Sequence, residues 1–202
     1  MVQAGCKSIL VASLLCFSIV PIVSQDSLSP LDTSGHTAVD GRSTPYLVRH
    51  LPVNAFPQLP SAIQNALIRR GCLIPQTYEA HQPENVVNAS LEHRGSSDWA
   101  VLCSVKGTVS LLVFFADGNG EPTVLRTAPE TSRLQAYGSS GVLGFNWAID
   151  PASPQEVREA QSNMRHPPPA LDHDALADSV VDGRTTYRFF SHGAWTAIDT
   201  ED

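Results

Sequence analysis

Charge is scarce in this chain. Only 16% of its 202 residues are Asp, Glu, Lys or Arg, and the balance is negative, at −7 with the histidines neutral. The Lys and Arg residues are scattered rather than clustered, so the phosphate neutralisation that nucleic-acid binding depends on has no footprint, and no nucleic-acid partner is expected. A basic amphipathic segment able to lie on an anionic membrane surface is missing too. Cysteine is limited to four residues, none in a Cys-x-x-Cys arrangement, and no His or Cys spacing matches a zinc signature. Gly-x-Ser-x-Gly does not occur, which removes the usual nucleophile elbow. What remains is a 42% hydrophobic chain, enough for one core of ordinary size.

The N-terminus, "MVQAGCKSILVASLLCFSIVPIVSQDS", has one positive charge, Lys7, before an apolar run from Ile9 to Val23. This is the pattern of an export signal, with cleavage expected after Ser24. The alternative is an uncleaved anchor, but a spanning helix needs roughly 20 apolar residues and the run falls short. No membrane span is expected in the mature form. Cys16 follows Leu15 rather than a small residue, so the lipid-anchor pattern is absent. Cys6 and Cys16 lie inside the signal, which leaves Cys72 and Cys103 in a chain bound for an oxidising, secreted or periplasmic setting.

The expected organisation is a signal peptide (1–24), a flexible Ser/Thr/Pro-rich lead-in (25–56) and a single α+β domain (57–202). Residues 25–56 carry no sustained period and bury little apolar surface, with "TPYLVRHLPVNAF" read as contributing a short extended piece near the end. "LPSAIQNALIRRG" predicts a helix over 61–71. Ser61 stands as N-cap, Ile63, Ala66 and Leu67 share a face, and Gly71 takes the left-handed position past the end. "WAVLCSV", "TVSLLVFFA" and "PTVLRTA" read as an antiparallel meander turning at Lys106-Gly107 and at "DGNGE". Trp99, Val101, Cys103 and Val105 share its inward face. "GVLGFNWAID" reads as a fourth strand. "SPQEVREAQSN" reads as a helix with a capping box from Ser153 to Glu156. "HPPPALD" is a stiff connector, "HDALADSVV" a short helix, and "TTYRFFSHGAWTAID" a hairpin turning at His192-Gly193. The fold class expected is therefore α+β: a mainly antiparallel sheet of five or six strands, one helix clamped to it by a disulfide, and a second helix covering a face or edge.

Cys72 and Cys103 are the paired feature that stands out. A bridge between them would tie the helix end to the inner face of the first meander strand and stabilise the fold by roughly 3–4 kcal/mol in the chain-entropy picture. The competing reading is a redox or nucleophilic pair. That needs a lowered thiol pKa, and a helix C-terminus at Cys72 opposes thiolate.

Other candidates have simpler readings. "DHD" at Asp172 to Asp174, with His166 upstream, brings carboxylate and imidazole together at no metal spacing, and either aspartate can cap the following helix. "DGNGE" opens like a calcium loop, but Pro122 stands where glycine is required. "GSSGVLG" reads as a flexible loop. His81, His93 and His192 could each meet a carboxylate, with Asp98 and Ser96 close to His93 in sequence, yet spacing alone makes no triad. Trp99, Trp147 and Trp195 read as core aromatics. Asn88 in "NAS" is a glycosylation acceptor only in a eukaryotic source. No catalytic residue, cofactor or metal is expected.

"LPSAIQNALIRRGCLIPQ" and "DWAVLCSVKGTVSLLVF" together resemble the signature of an uncharacterised family of exported bacterial proteins, in which Arg-Gly-Cys and Ile-Pro-Gln precede Asp-Trp-Ala-Val-Leu-Cys-Ser. The likeness covers roughly residues 56 to 115, and "HDALAD…GAW" more loosely. It implies bacterial origin and export and carries over no catalytic residue. Two functions follow as expectations: a non-enzymatic periplasmic or secreted module binding a protein or envelope component, or a hydrolase of envelope or extracellular substrates with histidine and carboxylate supplied by loops.

Overall fold

The computed structural model describes residues 31–199 other than 119, 163, 165, 166, 168 and 169, together with Met1 and Ser29. The expected signal peptide beyond Met1, with Cys6 and Cys16, lies outside the described residues, as do His166, Pro168 and Pro169 of "HPPPALD".

Among the described residues the fold is mostly β, with thirteen strands in two sheets and two short α-helices. The strands are β1 (Thr33–Val39), β2 (Arg42–Pro52), β3 (Leu73–Gln76), β4 (Val86–Ala89), β5 (Asp98–Val105), β6 (Thr108–Phe114), β7 (Thr123–Pro129), β8 (Leu134–Ala136), β9 (Leu143–Phe145), β10 (Trp147–Ala152), β11 (Ala175–Val180), β12 (Thr185–Ser191) and β13 (Ala194–Asp199). The helices are α1 (Ser61–Arg69) and α2 (Pro154–Ala160). Nine strands form the larger sheet along the path β7-β6-β5-β3-β2-β9-β8, with β1 beside β2 and β4 beside β5. The other sheet is β10-β11-β12-β13. All pairs are antiparallel except β2 with β9, where Tyr46 faces Leu143 and Leu47 faces Gly144.

This corrects the α+β expectation in three places. Residues 33–52, expected within a flexible lead-in, form the β1–β2 hairpin in register from Thr33↔Val48 to Val39↔Arg42. Its turn, Asp40-Gly41, has φ of 49° and 76°, the pair of left-handed residues that a two-residue hairpin requires. The flanks are polar and half-exposed, so they resemble coil by composition. "HDALADSVV" is no helix, because β11 takes its residues into pairing with both β10 and β12. Its intrinsic helix preference is small beside two ladders of hydrogen bonds and the burial of Ala175 and Leu176. Finally, "GVLGFNWAID" is not one strand. It breaks at Asn146, so that β9 stays in the larger sheet while β10 begins the smaller one.

The layers run α1, larger sheet, smaller sheet, α2. Alternation along β5 and β6 decides this, since successive side chains point to opposite faces. Trp99, Val101, Cys103, Leu112 and Phe114 pack with Ile63, Ala66 and Leu67 of α1. Ala100, Leu102, Val109, Leu111 and Val113 pack instead with Trp147 and Ile149 of β10 and Leu176 of β11. The outer face of the smaller sheet offers Ala175, Phe189 and Ile198 to Val157 of α2. Fully buried side chains such as Phe56, Leu67 and Ile74 each contribute roughly 1.5–3 kcal/mol.

The C-terminus of α1 and the N-terminus of α2 are formed as their sequences direct. Gly71 has φ of 70°; its N–H donates to Ile68 at 2.9 Å and the Cys72 N–H reaches Leu67 at 3.1 Å, the paired bonds of a Schellman motif. Ser61 is the first helical residue rather than the cap, which is Pro60 without a side-chain bond. α2 carries the full capping box between Ser153 and Glu156. Cys72 and Cys103 form a disulfide with their Cα atoms 5.3 Å apart, joining the end of α1 to the inner face of β5.

Candidate functional site

The unusual chemistry lies between the sheets. Trp147, the first residue of β10, is fully buried, and its Nε1 donates to Asp178 Oδ1 at 2.6 Å. Asp178 sits on β11, with its side chain 2% exposed. A buried carboxylate needs partners to hold its charge. Arg188 Nε of β12 donates to its Oδ2 at 2.7 Å and Arg126 Nη1 of β7 at 3.4 Å. Arg133 follows a short 3-10 turn, Glu130–Ser132, and is pinned there by two backbone bonds, its N–H to Glu130 O at 2.8 Å and its carbonyl from Asn146 N at 2.9 Å. From that position its guanidinium lies over the Trp147 ring, 4.4 Å from the centroid, with Arg126 at 5.5 Å. Arg184, in the turn before β12, completes the set.

Among the described residues these four arginines and two carboxylates, Asp178 and Asp199, surround a pocket of about 420 Å³. Thr186 Oγ1 occupies Asp199, donating at 2.6 Å. The pocket therefore holds two more positive than negative groups in a chain whose net charge is −7. Burial and the neighbouring Arg126 pull the Arg133 guanidinium below its ordinary pKa, with Asp178 opposing. It stays charged, since arginine does not lose its proton in proteins. Yet Arg133 Nη2 is buried and has no hydrogen-bond partner among the described residues. A buried donor of this kind left unmet costs about 1–3 kcal/mol. The arrangement can accept an oxyanion.

A second buried network joins β2, β5 and the turn that follows β7. Glu130 Oε1 accepts from His50 Nε2 at 2.8 Å and from the Ser104 hydroxyl, and both His50 and Glu130 are buried. The carboxylate stands between serine and histidine, so Ser104 bonds to Glu130 and not to His50. Burial alone would raise the Glu130 pKa, but the bonds from His50 and Ser104 outweigh it and hold the carboxyl below its usual 4.5. A carboxyl depressed in the folded state contributes stability above the unfolded pKa and loses it as pH falls through the folded value. Urea unfolding followed from about pH 6 down to about pH 2 is therefore expected to show stability falling across that window, with a shallower fall for Glu130→Gln. Equal slopes for the two chains would remove Glu130 as the cause.

The residues singled out from sequence mostly find structural work. Ser96 and Asp98 do approach His93, but Asp98 spends its oxygens on the Leu91, Glu92 and Ala116 N–H groups and the Ser96 hydroxyl, while the His93 ring pairs with Glu92 at 3.8 Å. His192 Nδ1 bonds Ser191 in an exposed hairpin turn. Neither forms a serine, histidine and aspartate chain. His173 is held by Asp172 and by the Phe190 carbonyl, and the bond lowers the Asp172 pKa. Asp174 accepts from Ser90 N, so this trio fastens β11 rather than capping a helix. "DGNGE" lies between β6 and β7, with Asn119 outside the described residues, and Asn88 Nδ2 donates to Ser97 and to the Asp98 carbonyl. Trp99 and Trp147 are core; Trp195 stacks on Phe115 at 6.1 Å with Nε1 unpartnered among the described residues.

Among the described residues no group of three or more His, Cys, Asp or Glu is placed to hold a metal, and no helix is long and apolar enough to cross a membrane. The four pocket arginines are invisible as a site in sequence, where they are spread from 126 to 188. No family model, curated protein or solved structure matches the chain, so the site stands on its own geometry.

Proposed function

We propose that this chain is an exported, non-enzymatic binding module that takes an oxyanion-bearing ligand, a protein or an envelope component carrying carboxylate, phosphate or sulfate, into the arginine pocket between its sheets. The observation that carries the reading is the convergence of Arg126, Arg133, Arg184 and Arg188 with Arg133 Nη2 buried and unmet. The Cys72–Cys103 disulfide supports an oxidising compartment, as do the signal-like N-terminus and the resemblance to exported bacterial proteins. A compact pocket suits a single anionic group better than a polymer backbone, which a stripe of cations would track.

Calorimetric titration of the chain with inorganic phosphate, sulfate and citrate separates the three oxyanion classes. At least one should bind, and Arg133→Ala should weaken it tenfold or more, since a bond to a charged group is worth about 1.5–3 kcal/mol. Arg184→Ala is the cleaner probe, because Arg184 is exposed and its side chain has no hydrogen-bond partner among the described residues. Its loss should weaken binding while leaving the melting temperature unchanged. Absence of binding by all three anions, or unchanged affinity in both variants, sinks the reading.

A further inference from the structure

A larger cavity, of about 670 Å³, opens on the far side of β2 and shares no wall residue with the arginine pocket. Its volume is that of a small-molecule site. Tyr78 and Tyr137 form an aromatic wall, their rings stacked with centroids 4.9 Å apart and planes 9° from parallel. Gly144 makes room for that stack. A Cβ there would come within 2.5 Å of Tyr78 Cβ and 2.8 Å of Tyr137 Cε1, distances that real side chains do not adopt. The Tyr78 hydroxyl donates to Asp182 at 3.0 Å, and burial with that carboxylate pushes its pKa up to about 12, so it is uncharged.

The polar groups of the cavity are mixed and balanced. Arg49 uses Nη2 to hold the following loop through the Thr77 and Ala80 carbonyls, at 3.0 and 2.9 Å, leaving Nε and Nη1 as donors. Asp32 accepts one backbone bond on each oxygen, from His50 N at 3.1 Å and Ser29 N at 2.9 Å, and each oxygen keeps a lone pair. His50 also borders the cavity, but its side chain is 1% exposed and its Nε2–H goes to Glu130, so its ring belongs to the buried network rather than to the wall. One guanidinium and one carboxylate cancel, so a net charge on the ligand gains nothing here, in contrast to the arginine pocket. Donors, acceptors and an aromatic wall side by side suit a molecule that both donates and accepts through many hydroxyls and offers an apolar C–H face.

We infer that the cavity lined by Asp32, Arg49, Tyr78, Gln82 and Tyr137 is a binding site for an uncharged saccharide of two or three rings. Saturation-transfer NMR and calorimetry of the chain with maltotriose, cellotriose and chitotriose test this. At least one is expected to bind with millimolar or tighter affinity, at least tenfold more weakly in Tyr137→Ala and several-fold more weakly in Gln82→Ala. The Gln82 amide is exposed and has no hydrogen-bond partner among the described residues, so that variant keeps the fold. Arg184→Ala should bind the sugar unchanged, which separates this site from the anion reading. Failure of all three sugars to bind, a blocked tripeptide binding in their place, or wild-type affinity in both variants overturns the inference.

Discussion

Asp178→Ala is expected to cost the fold about 3–5 kcal/mol, the loss that follows when one member of a buried charge network is removed. The carboxylate takes the Trp147 indole N–H and two guanidinium donors on β7 and β12. Without it, Arg126, Arg133 and Arg188 face one another across the pocket with no central counter-charge, and the indole donor is left unmet in the core. Urea unfolding of the variant measures the loss directly. A second arm of the same experiment reads the pocket. An anion that binds only the folded chain stabilises it as RT ln(1 + [L]/Kd), so phosphate or sulfate should restore more stability to Asp178→Ala than to the unmodified chain. A variant within about 0.5 kcal/mol of the unmodified chain would show that Asp178 is not the keystone of the inter-sheet contact.

Removing the bridge with Cys72→Ala/Cys103→Ala should cost about 3–4 kcal/mol, because the link spans 31 positions of sequence and its loss frees that loop in the unfolded chain. For a domain of this size such a loss lowers the melting temperature by about 10 °C. Alanine is the better replacement, since both sulfurs are buried and serine would add unmet hydroxyls. Reduced but unsubstituted protein should melt close to the variant. If the variant melts with the disulfide-intact chain, the packing of Ile63, Ala66 and Leu67 on β5 and β6 holds α1 without help.

Local chemistry is legible in the chain itself. The helix expected over 61–71 is two residues shorter, with Gly71 past its end; the capping box of α2 is complete; and the hairpins turn at Lys106-Gly107 and His192-Gly193, with φ of 50° and 76° and of 53° and 78°. Each of these rests on a handful of adjacent residues whose backbone preferences are settled within a turn. Cys72 and Cys103 are legible for a related reason, because a helix end and an inward strand position bring them to one layer. The β1–β2 hairpin has its signal too, in Asp40-Gly41, but strands with half-exposed polar flanks look like coil until a neighbour pairs with them.

What sequence determined by itself, then, is the set of turns, caps and alternating strands and the two cysteines available for a bridge. Tertiary structure alone decided that "HDALADSVV" becomes a strand, that β9 and β10 part into different sheets, and that four arginines far apart in the chain meet over one tryptophan. The reason is physical. Caps and turns are short-range preferences of about 1 kcal/mol each, whereas which strands share a sheet, and which charges share a pocket, depends on burying Trp147 and Asp178 between two layers that no local stretch of sequence contains.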